Sequence, residues 1–290
     1  MQGRSTPRRI LRNAQRARRS RRWFRAFRRG PASAQFIIAT AAAVTIALAV
    51  NWGYQVDRKP SELFFPVSGT LNKTPSETWQ QYAPLFRTNA TEVITPDFLA
   101  ALAQVEGSGN PVARTNWRWS FSSAPFEVYR PASSAVGMYQ LTDGTFTEAR
   151  RYCIHDHAVV EDGPWHELRS CWFNELYTRV VPAHAVELTS AFLDHSVAMT
   201  LQHPGIARAS LRQKQNLAAV IHLCGGGAGE SYARRGFRLT AHQQCGSHGV
   251  SEYLARVNAM KGVFGCLAGR HGGRCPSLPP STATLTLQVG

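Results

Sequence analysis

Glu106 is the residue in this sequence best placed for acid chemistry. It falls at the last position of a predicted helix and follows the apolar Val105. The negative end of a helix dipole and apolar neighbours both disfavour an ionised carboxylate. A carboxylic acid that stays protonated near neutral pH can protonate the oxygen of a glycosidic bond. The alternative is an ordinary solvated glutamate at a helix end.

Short motifs surround and follow this glutamate. They are Val105-Glu106-Gly107-Ser108, Ser133-Ser134-Ala135-Val136-Gly137-Met138-Tyr139-Gln140-Leu141, Ala218-Ala219-Val220-Ile221-His222-Leu223-Cys224-Gly225 and Glu252-Tyr253. In order and spacing they resemble the motifs of the soluble lytic transglycosylases, a family with a lysozyme-like helical fold. The resemblance covers residues 95–260. It implies cleavage of the MurNAc–GlcNAc β-1,4 bond of bacterial peptidoglycan with formation of 1,6-anhydro-MurNAc ends.

The resemblance also implies roles for individual residues. Glu106 matches the single catalytic acid and base of the family, and Tyr253 matches a late tyrosine that lies near the acid. The residues expected to bind the glycan are Ser134, Met138, Gln140, His222 and Tyr253.

The sequence departs from the family pattern at three places. Gly107 stands where a serine is expected, Tyr139 where a methionine is expected, and Ile221-His222 where Tyr-Asn is expected. A histidine can still donate or accept a hydrogen bond in the glycan groove.

An insertion relative to the family lies between Asn110 and Ser133. Its aromatic residues are Trp117, Trp119, Phe121, Phe126 and Tyr129. With the arginines between them, these rings are expected either to stack on sugars or to pack against the domain or a bilayer surface.

Most glycosidases use a second carboxylate. The candidates are Glu127, Asp143 and Asp156, and Asp143 is explained more simply as a helix cap. The family that this sequence resembles needs no second carboxylate, because the N-acetyl group and the 6-hydroxyl of the substrate take its place.

The positive charge of the chain is concentrated at the N-terminus. The net charge is +15, and residues 1–30 hold twelve arginines and no acid, which leaves +3 for the other residues. The uncharged run FIIATAAAVTIALAV follows at 36–50, and Trp52 and Tyr54 come next. This order predicts a transmembrane signal anchor over 31–56, with the arm 1–30 in the cytoplasm against anionic lipid.

Other interpretations of the N-terminus stay open. Ala47-Leu48-Ala49 resembles a signal-peptide cleavage box, and Ser20-Arg21-Arg22-Trp23-Phe24 resembles a twin-arginine export signal. All of them place residues 57–290 outside the cytoplasm. We therefore expect a single-pass protein of the bacterial inner membrane with its body in the periplasm. Nucleic acid binding by the arm is the alternative that this topology disfavours.

The six cysteines agree with export, because all of them follow the apolar run. An even number in an oxidising compartment predicts three disulfides. Fifteen connectivities are possible, and proximity favours the pairs 153–171, 224–245 and 266–275. His155 and His157 lie near Cys153, but no CxxC pair is present, so neither a metal nor a cofactor is expected.

The rest of the chain predicts a mainly α fold with few strands. Helices are expected at 76–83, 95–106, 145–152, 165–178, 185–202, 216–223 and 251–260. The expected order is the arm 1–30, the anchor 31–56, a stalk 57–94, a lysozyme-like domain 95–275 and a loose tail 276–290.

The predicted function is therefore that of a membrane-tethered peptidoglycan lytic transglycosylase. One alternative is a lysozyme-type hydrolase of the same bond. Another is a non-catalytic wall-binding component of an envelope assembly, whose other partners are unknown. The expected partners are the glycan strands and the membrane, and no nucleic acid.

Overall fold

The computed structural model describes residues 31–64, 68–120, 129–161, 163–164, 166–167, 170–206 and 208–269. The predicted arm 1–30 and the predicted tail 276–290 lie outside these residues. The chain divides into one unit formed by Met1–Arg58 with Ser120–Tyr129, and a second formed by Lys59–Trp119 with Arg130–Gly290.

In the first unit, residues 32–58 form a long apolar helix, α1 (Ala32–Arg58). The helix is long and apolar enough to cross a membrane or to serve as a signal sequence. Its apolar side chains are exposed, with Phe36 at 73% and Ile46 at 64%. Its C-terminal part differs, because Asn51 and Gln55 are buried and Asn51 Nδ2 donates a hydrogen bond of 2.9 Å to the carbonyl of Tyr129.

The second unit is mainly helical, as predicted. Its α-helices are α2 (Pro75–Thr88), α3 (Pro96–Gly107), α4 (Asp143–Ala149), α5 (Pro182–Leu201), α6 (Leu211–Cys224), α7 (Gly226–Arg234) and α8 (Val250–Leu267). Short 3₁₀ helices cover Pro60–Phe64, Ser68–Leu71 and Trp172–Leu176. Capping boxes start α2 at Thr74 and α6 at Ser210, which satisfies backbone N–H groups that a helix leaves unpaired.

Helix α3 runs through the core and packs between α2 and α8. Its residues 98–103 are all buried. They meet aromatic side chains from both neighbours, including Phe86 of α2 and Phe264 of α8. Burial on several faces explains why the sequence of this helix is apolar almost throughout.

The core begins before the predicted domain boundary at Thr95. Helix α2 falls inside the predicted stalk, 57–94, yet its Trp79, Tyr82 and Phe86 belong to the core cluster. These aromatic residues recur at helical spacing, so one face of α2 is apolar and packs on the body.

The described residues of the body also form three small two-stranded sheets. Their strands are β1 (Trp117–Trp119), β2 (Tyr129–Pro131), β3 (Tyr152–His155), β4 (Ala158–Glu161), β5 (Gln244–Cys245) and β6 (His248–Gly249). Strands β3 and β4 are antiparallel and are joined by Asp156 and His157, which both have positive φ angles, of 50° and 63°. A two-residue hairpin turn requires this backbone. The expected helix 145–152 ends at Ala149, before β3 begins.

The prediction of a helix at 165–178 is wrong. The described part of that segment forms only the 3₁₀ helix Trp172–Leu176. Two bonds hold this segment against β3. Cys171 forms a disulfide with Cys153, and Asn174 Nδ2 donates a hydrogen bond of 2.8 Å to the carbonyl of Tyr152.

Two of the expected disulfides are confirmed, Cys153–Cys171 and Cys224–Cys245. Cys266 is also disulfide-bonded. Its expected partner, Cys275, lies outside the described residues.

A buried ionic cluster, which no sequence pattern indicated, is centred on Glu62, whose side chain is 0% exposed. Glu62 Oε1 lies 3.2 Å from Lys59 Nζ, and Glu62 Oε2 accepts a hydrogen bond of 2.8 Å from the indole of Trp117. Arg114 approaches the same oxygen at 3.7 Å. The hydrogen bond from Trp117 connects the 3₁₀ helix Pro60–Phe64 to β1, and removing the Glu62 carboxylate would take a buried counter-charge from both Lys59 and Arg114.

Candidate active site

Glu106 is the penultimate residue of α3, and its side chain is 16% exposed. The helix ends just beyond it, where Ser108 adopts a left-handed conformation with φ of 51°. The carboxylate is therefore partly buried at the end of a core helix and still reaches solvent.

Tyr253 of α8 holds one oxygen of this carboxylate. Its phenol donates a hydrogen bond of 2.5 Å to Glu106 Oε1, and the residue is 2% exposed. Burial, the charge of Glu106 and this hydrogen bond raise the pKa of Tyr253 well above its usual value. The phenol therefore stays protonated and acts as a donor over the whole physiological pH range.

His222 approaches the same oxygen from the last turn of α6. Its Nε2 lies 3.7 Å from Glu106 Oε1, and its side chain is 6% exposed. This distance is too long for a hydrogen bond, but a protonated ring would form an ion pair with the carboxylate. Within the described residues, Oε2 of Glu106 accepts no hydrogen bond, so the second oxygen is free to act on a ligand.

Gly107 lies where the end of α3 approaches the turn at Met138 most closely. A Cβ atom at this position would lie 2.8 Å from both Cα and the carbonyl oxygen of Met138. Such contacts are closer than folded proteins allow, so the end of α3 can meet the turn at Met138 only with a glycine. A serine would push the segment that carries Glu106 away from this turn.

The structure places Met138 in the core rather than in an open groove. Its side chain is 0% exposed, as is that of the neighbouring Tyr139. The phenol oxygen of Tyr139 has no hydrogen-bond partner among the described residues. Burial raises the pKa of Tyr139 well above its usual value.

Gln140 and Ser134 are only partly buried, but both are engaged in local hydrogen bonds. The amide of Gln140 donates to the carbonyls of Ala113 at 3.1 Å and Gly137 at 2.9 Å. Ser134 Oγ accepts a hydrogen bond of 3.2 Å from the backbone of Asp143. These contacts order the loop beside Glu106, and the roles of both residues in glycan binding stay predictions.

Arg179, which the sequence analysis did not single out, joins this loop to α4. It donates hydrogen bonds of 2.9 Å to the carbonyls of Ser134 and Leu141 and pairs with Asp143 at 2.8 Å. Asp143, which was expected to cap this helix, is its first residue, and the N-cap is Thr142, whose side chain accepts from the N–H of Thr145. No local sequence signal identifies Arg179, because its partners lie about forty residues away in the chain.

The other carboxylate candidates show no comparable arrangement. Asp143 is paired with Arg179, Asp156 lies in the β3–β4 turn, and Glu127 lies outside the described residues. Glu106 is thus the candidate acid that is partly buried and hydrogen-bonded to a phenol, that of Tyr253.

The Cys224–Cys245 disulfide connects two of the elements around Glu106. Cys224 follows His222 by two residues at the end of α6. Cys245 lies in the β5–β6 hairpin, which leads directly into α8 and Tyr253. The bond therefore restrains the two side chains that approach the same carboxylate oxygen.

An open pocket lies at the other end of α3. Its lining residues are Asp97, Leu211, Arg212, Gln215, Asn258, Lys261 and Gly262. Asp97 and Glu106 are nine positions apart along the helix, about 14 Å at the usual rise per residue. The pocket is therefore separate from the Glu106 site.

A search of protein-family models, curated proteins and solved structures finds no match to this chain.

Proposed function

We propose that this protein is a lytic transglycosylase that cleaves the glycan strands of peptidoglycan, with Glu106 as its only acid and base. The observation that carries the proposal is the hydrogen bonding and exposure of the Glu106 carboxylate. Glu106 is held at Oε1 by Tyr253, has no hydrogen bond to Oε2 within the described part of the chain, and remains 16% exposed. The mainly helical body, with its acid near a helix C-terminus, is consistent with the lysozyme-like class that the motifs resemble.

In the proposed reaction, Glu106 gives its proton to the glycosidic oxygen as the bond from that oxygen to C1 of MurNAc breaks. The 6-hydroxyl of the same sugar then attacks C1 and returns its proton to Glu106. No water is consumed, and the acid is restored at the end of the cycle. Tyr253 stabilises the carboxylate that exists between the two steps, and a hydrogen bond to a charged group contributes about 1.5–3 kcal/mol.

We also propose a location for this activity. The apolar helix α1 would tether the body to the inner membrane, with the body in the periplasm. The described disulfides suit an oxidising compartment of this kind.

The product distinguishes this function from its alternatives. We expect the full-length protein to release muropeptides with 1,6-anhydro ends from purified sacculi, as measured by mass spectrometry. Products heavier by one water would indicate a hydrolase instead. Binding to sacculi without any soluble product would indicate a wall-binding protein and would contradict the enzymatic proposal.

A further inference from the structure

The pocket at the start of α3 brings charged and polar side chains together outside the Glu106 site. It is lined by the first turns of α3 and α6 and by a segment of α8, all in the second unit, and its volume is about 580 Å³. Sites for small molecules commonly have volumes of about 300–1,000 Å³ and a few polar groups that orient the ligand. The size of this pocket therefore suits a small molecule.

Lys261 and Arg212 bring two positive charges to the lining of the pocket. Burial lowers the pKa of Lys261, the charge of Asp97 raises it, and the charge of Arg212 lowers it. Arg212 is exposed and makes no hydrogen bond or ion pair within the described residues. Because the two cations repel each other and one of them is partly desolvated, an anionic group bound between them would be favoured.

Gln215 holds the ammonium group of Lys261 in a fixed position. The residue is 4% exposed, and its Oε1 accepts a hydrogen bond from Lys261 Nζ. Its Nε2 donates to the carbonyl of Val93 at 2.9 Å and to Thr95 Oγ1 at 3.0 Å, so the amide cannot rotate away. An ammonium group has three donors, and Gln215 accepts the only hydrogen bond from Lys261 among the described residues. The other donors can therefore reach a ligand.

Asp97 makes a purely anionic ligand a poor fit for this pocket. Its carboxylate lies in the same lining and interacts with the charge of Lys261. An anion would be repelled by this carboxylate, whereas a ligand that also carries an ammonium group could pair with it. Leu211, which is 49% exposed, adds an apolar surface to the lining. The lining thus offers partners for a carboxylate, an ammonium group and an apolar side chain.

We propose that this pocket binds a free α-amino acid with an apolar side chain. The carboxylate of the ligand lies between Lys261 and Arg212, its ammonium group pairs with Asp97, and its side chain packs against Leu211. Binding requires neither cleavage of a glycan nor insertion of α1 in a membrane, so it can be tested apart from the proposed function.

The test is equilibrium dialysis of the full-length protein in detergent against radiolabelled leucine. The competitors are unlabelled leucine, 4-methylpentanoate, which lacks only the amino group, and 3-methylbutylamine, which lacks only the carboxylate. We expect saturable binding of leucine and competition about tenfold or more weaker from the two analogues, because each has lost hydrogen bonds between charged groups. Equal competition by 4-methylpentanoate would indicate a simple anion site and overturn the proposal, as would the absence of saturable binding.

Two variants test the assigned residues. Arg212→Gln and Asp97→Asn should each weaken leucine binding about tenfold or more. Asp97→Asn should also reduce the difference between leucine and 4-methylpentanoate, since the ammonium group has lost its partner. A general loss of stability would not produce this change of preference. Unchanged affinity in both variants would overturn the proposal.

Arg208→Gln is the matched control for Arg212→Gln. Arg208 is an exposed arginine four residues earlier in the chain and does not line the pocket. The control removes the same charge and should leave leucine binding unchanged. An equal loss of affinity in both variants would mean that net charge, and not the pocket, controls binding, and would overturn the assignment.

Discussion

Tyr253 makes the contact on which the proposed chemistry of Glu106 depends most directly. A carboxylate in a partly buried site needs a donor to remain stable after it loses its proton. The phenol supplies that donor, and its own proton is retained because its pKa is raised by burial and by the charge of Glu106.

We expect Tyr253→Phe to lower kcat/KM for glycan cleavage by about one to two orders of magnitude, since a hydrogen bond to a charged group is lost. Tyr139→Phe is the matched control. It removes a buried phenol that has no partner among the described residues, so activity should be unchanged and the free energy of unfolding equal or slightly higher. Equal activity of Tyr253→Phe and the control would remove Tyr253 from the mechanism.

Part of the site could be predicted from the residues alone. The motifs singled out Glu106, His222 and Tyr253, and the structure brings these three side chains together. The sequence could not show that Met138 is buried in the core, because a motif identifies a position and not the direction of a side chain. Arg179 was missed because its partners come from distant segments.

At the level of secondary-structure elements, the junction between α3 and the Met138 turn positions the acid. Gly107 makes this junction possible, since a Cβ would meet the backbone of Met138 at 2.8 Å. We expect Gly107→Ala to lower the free energy of unfolding by about 1–3 kcal/mol, as for other overpacked sites. Chemical denaturation measures this loss, and cleavage should fall with it because Glu106 is the adjacent residue.

Gly262→Ala in α8 is the matched control for this substitution. A Cβ at Gly262 has no neighbour within 4 Å, and alanine is preferred to glycine inside a helix by about 0.5–1 kcal/mol. The control should therefore be neutral or stabilising. A similar loss of stability in both variants would show that the approach of Met138 is not the cause.

The two described disulfides differ in what they restrain. Replacing either pair by serine should lower the free energy of unfolding by about 2–4 kcal/mol, because the loops that they close are similar in length. Only the Cys224→Ser/Cys245→Ser variant should also lose activity in its folded fraction, since that bond connects the elements of His222 and Tyr253. The measurement compares the activity of this variant with that of Cys153→Ser/Cys171→Ser at a temperature where both are folded. Equal activities would show that the Cys224–Cys245 bond does not position the site.

Helices were easier to predict than hairpins for a physical reason. Helix α3 carries its apolar periodicity within a dozen residues, and α6 also carries a capping box at Ser210. The β3–β4 hairpin turns at Asp156 and His157, which adopt positive φ angles without a glycine, so the usual turn signal is missing. The Glu62 cluster and the packing of α2 depend on contacts between distant segments, which local patterns do not contain.

For the whole molecule, the proposed location depends on α1. Val44→Arg with Leu48→Arg should move the protein out of the membrane fraction, because each central arginine raises the cost of insertion by about 2.5–3.5 kcal/mol. Both side chains are about half exposed, at 52% and 49%, so the body should keep its fold. Fractionation by centrifugation, with Val44→Leu as control, measures the effect, and an unchanged membrane fraction would contradict the anchor.

The central claim is that Glu106 performs the bond cleavage, and Glu106→Gln tests it most directly. Glutamine keeps an oxygen for the Tyr253 hydrogen bond but has no proton to transfer, and Glu148→Gln, at an exposed position of α4, is the control. The measurement is the release of anhydro-muropeptides from sacculi together with the Tm of each variant. We predict that Glu106→Gln releases no product at an unchanged Tm while Glu148→Gln behaves as the unmodified protein. Full release by Glu106→Gln would contradict the account.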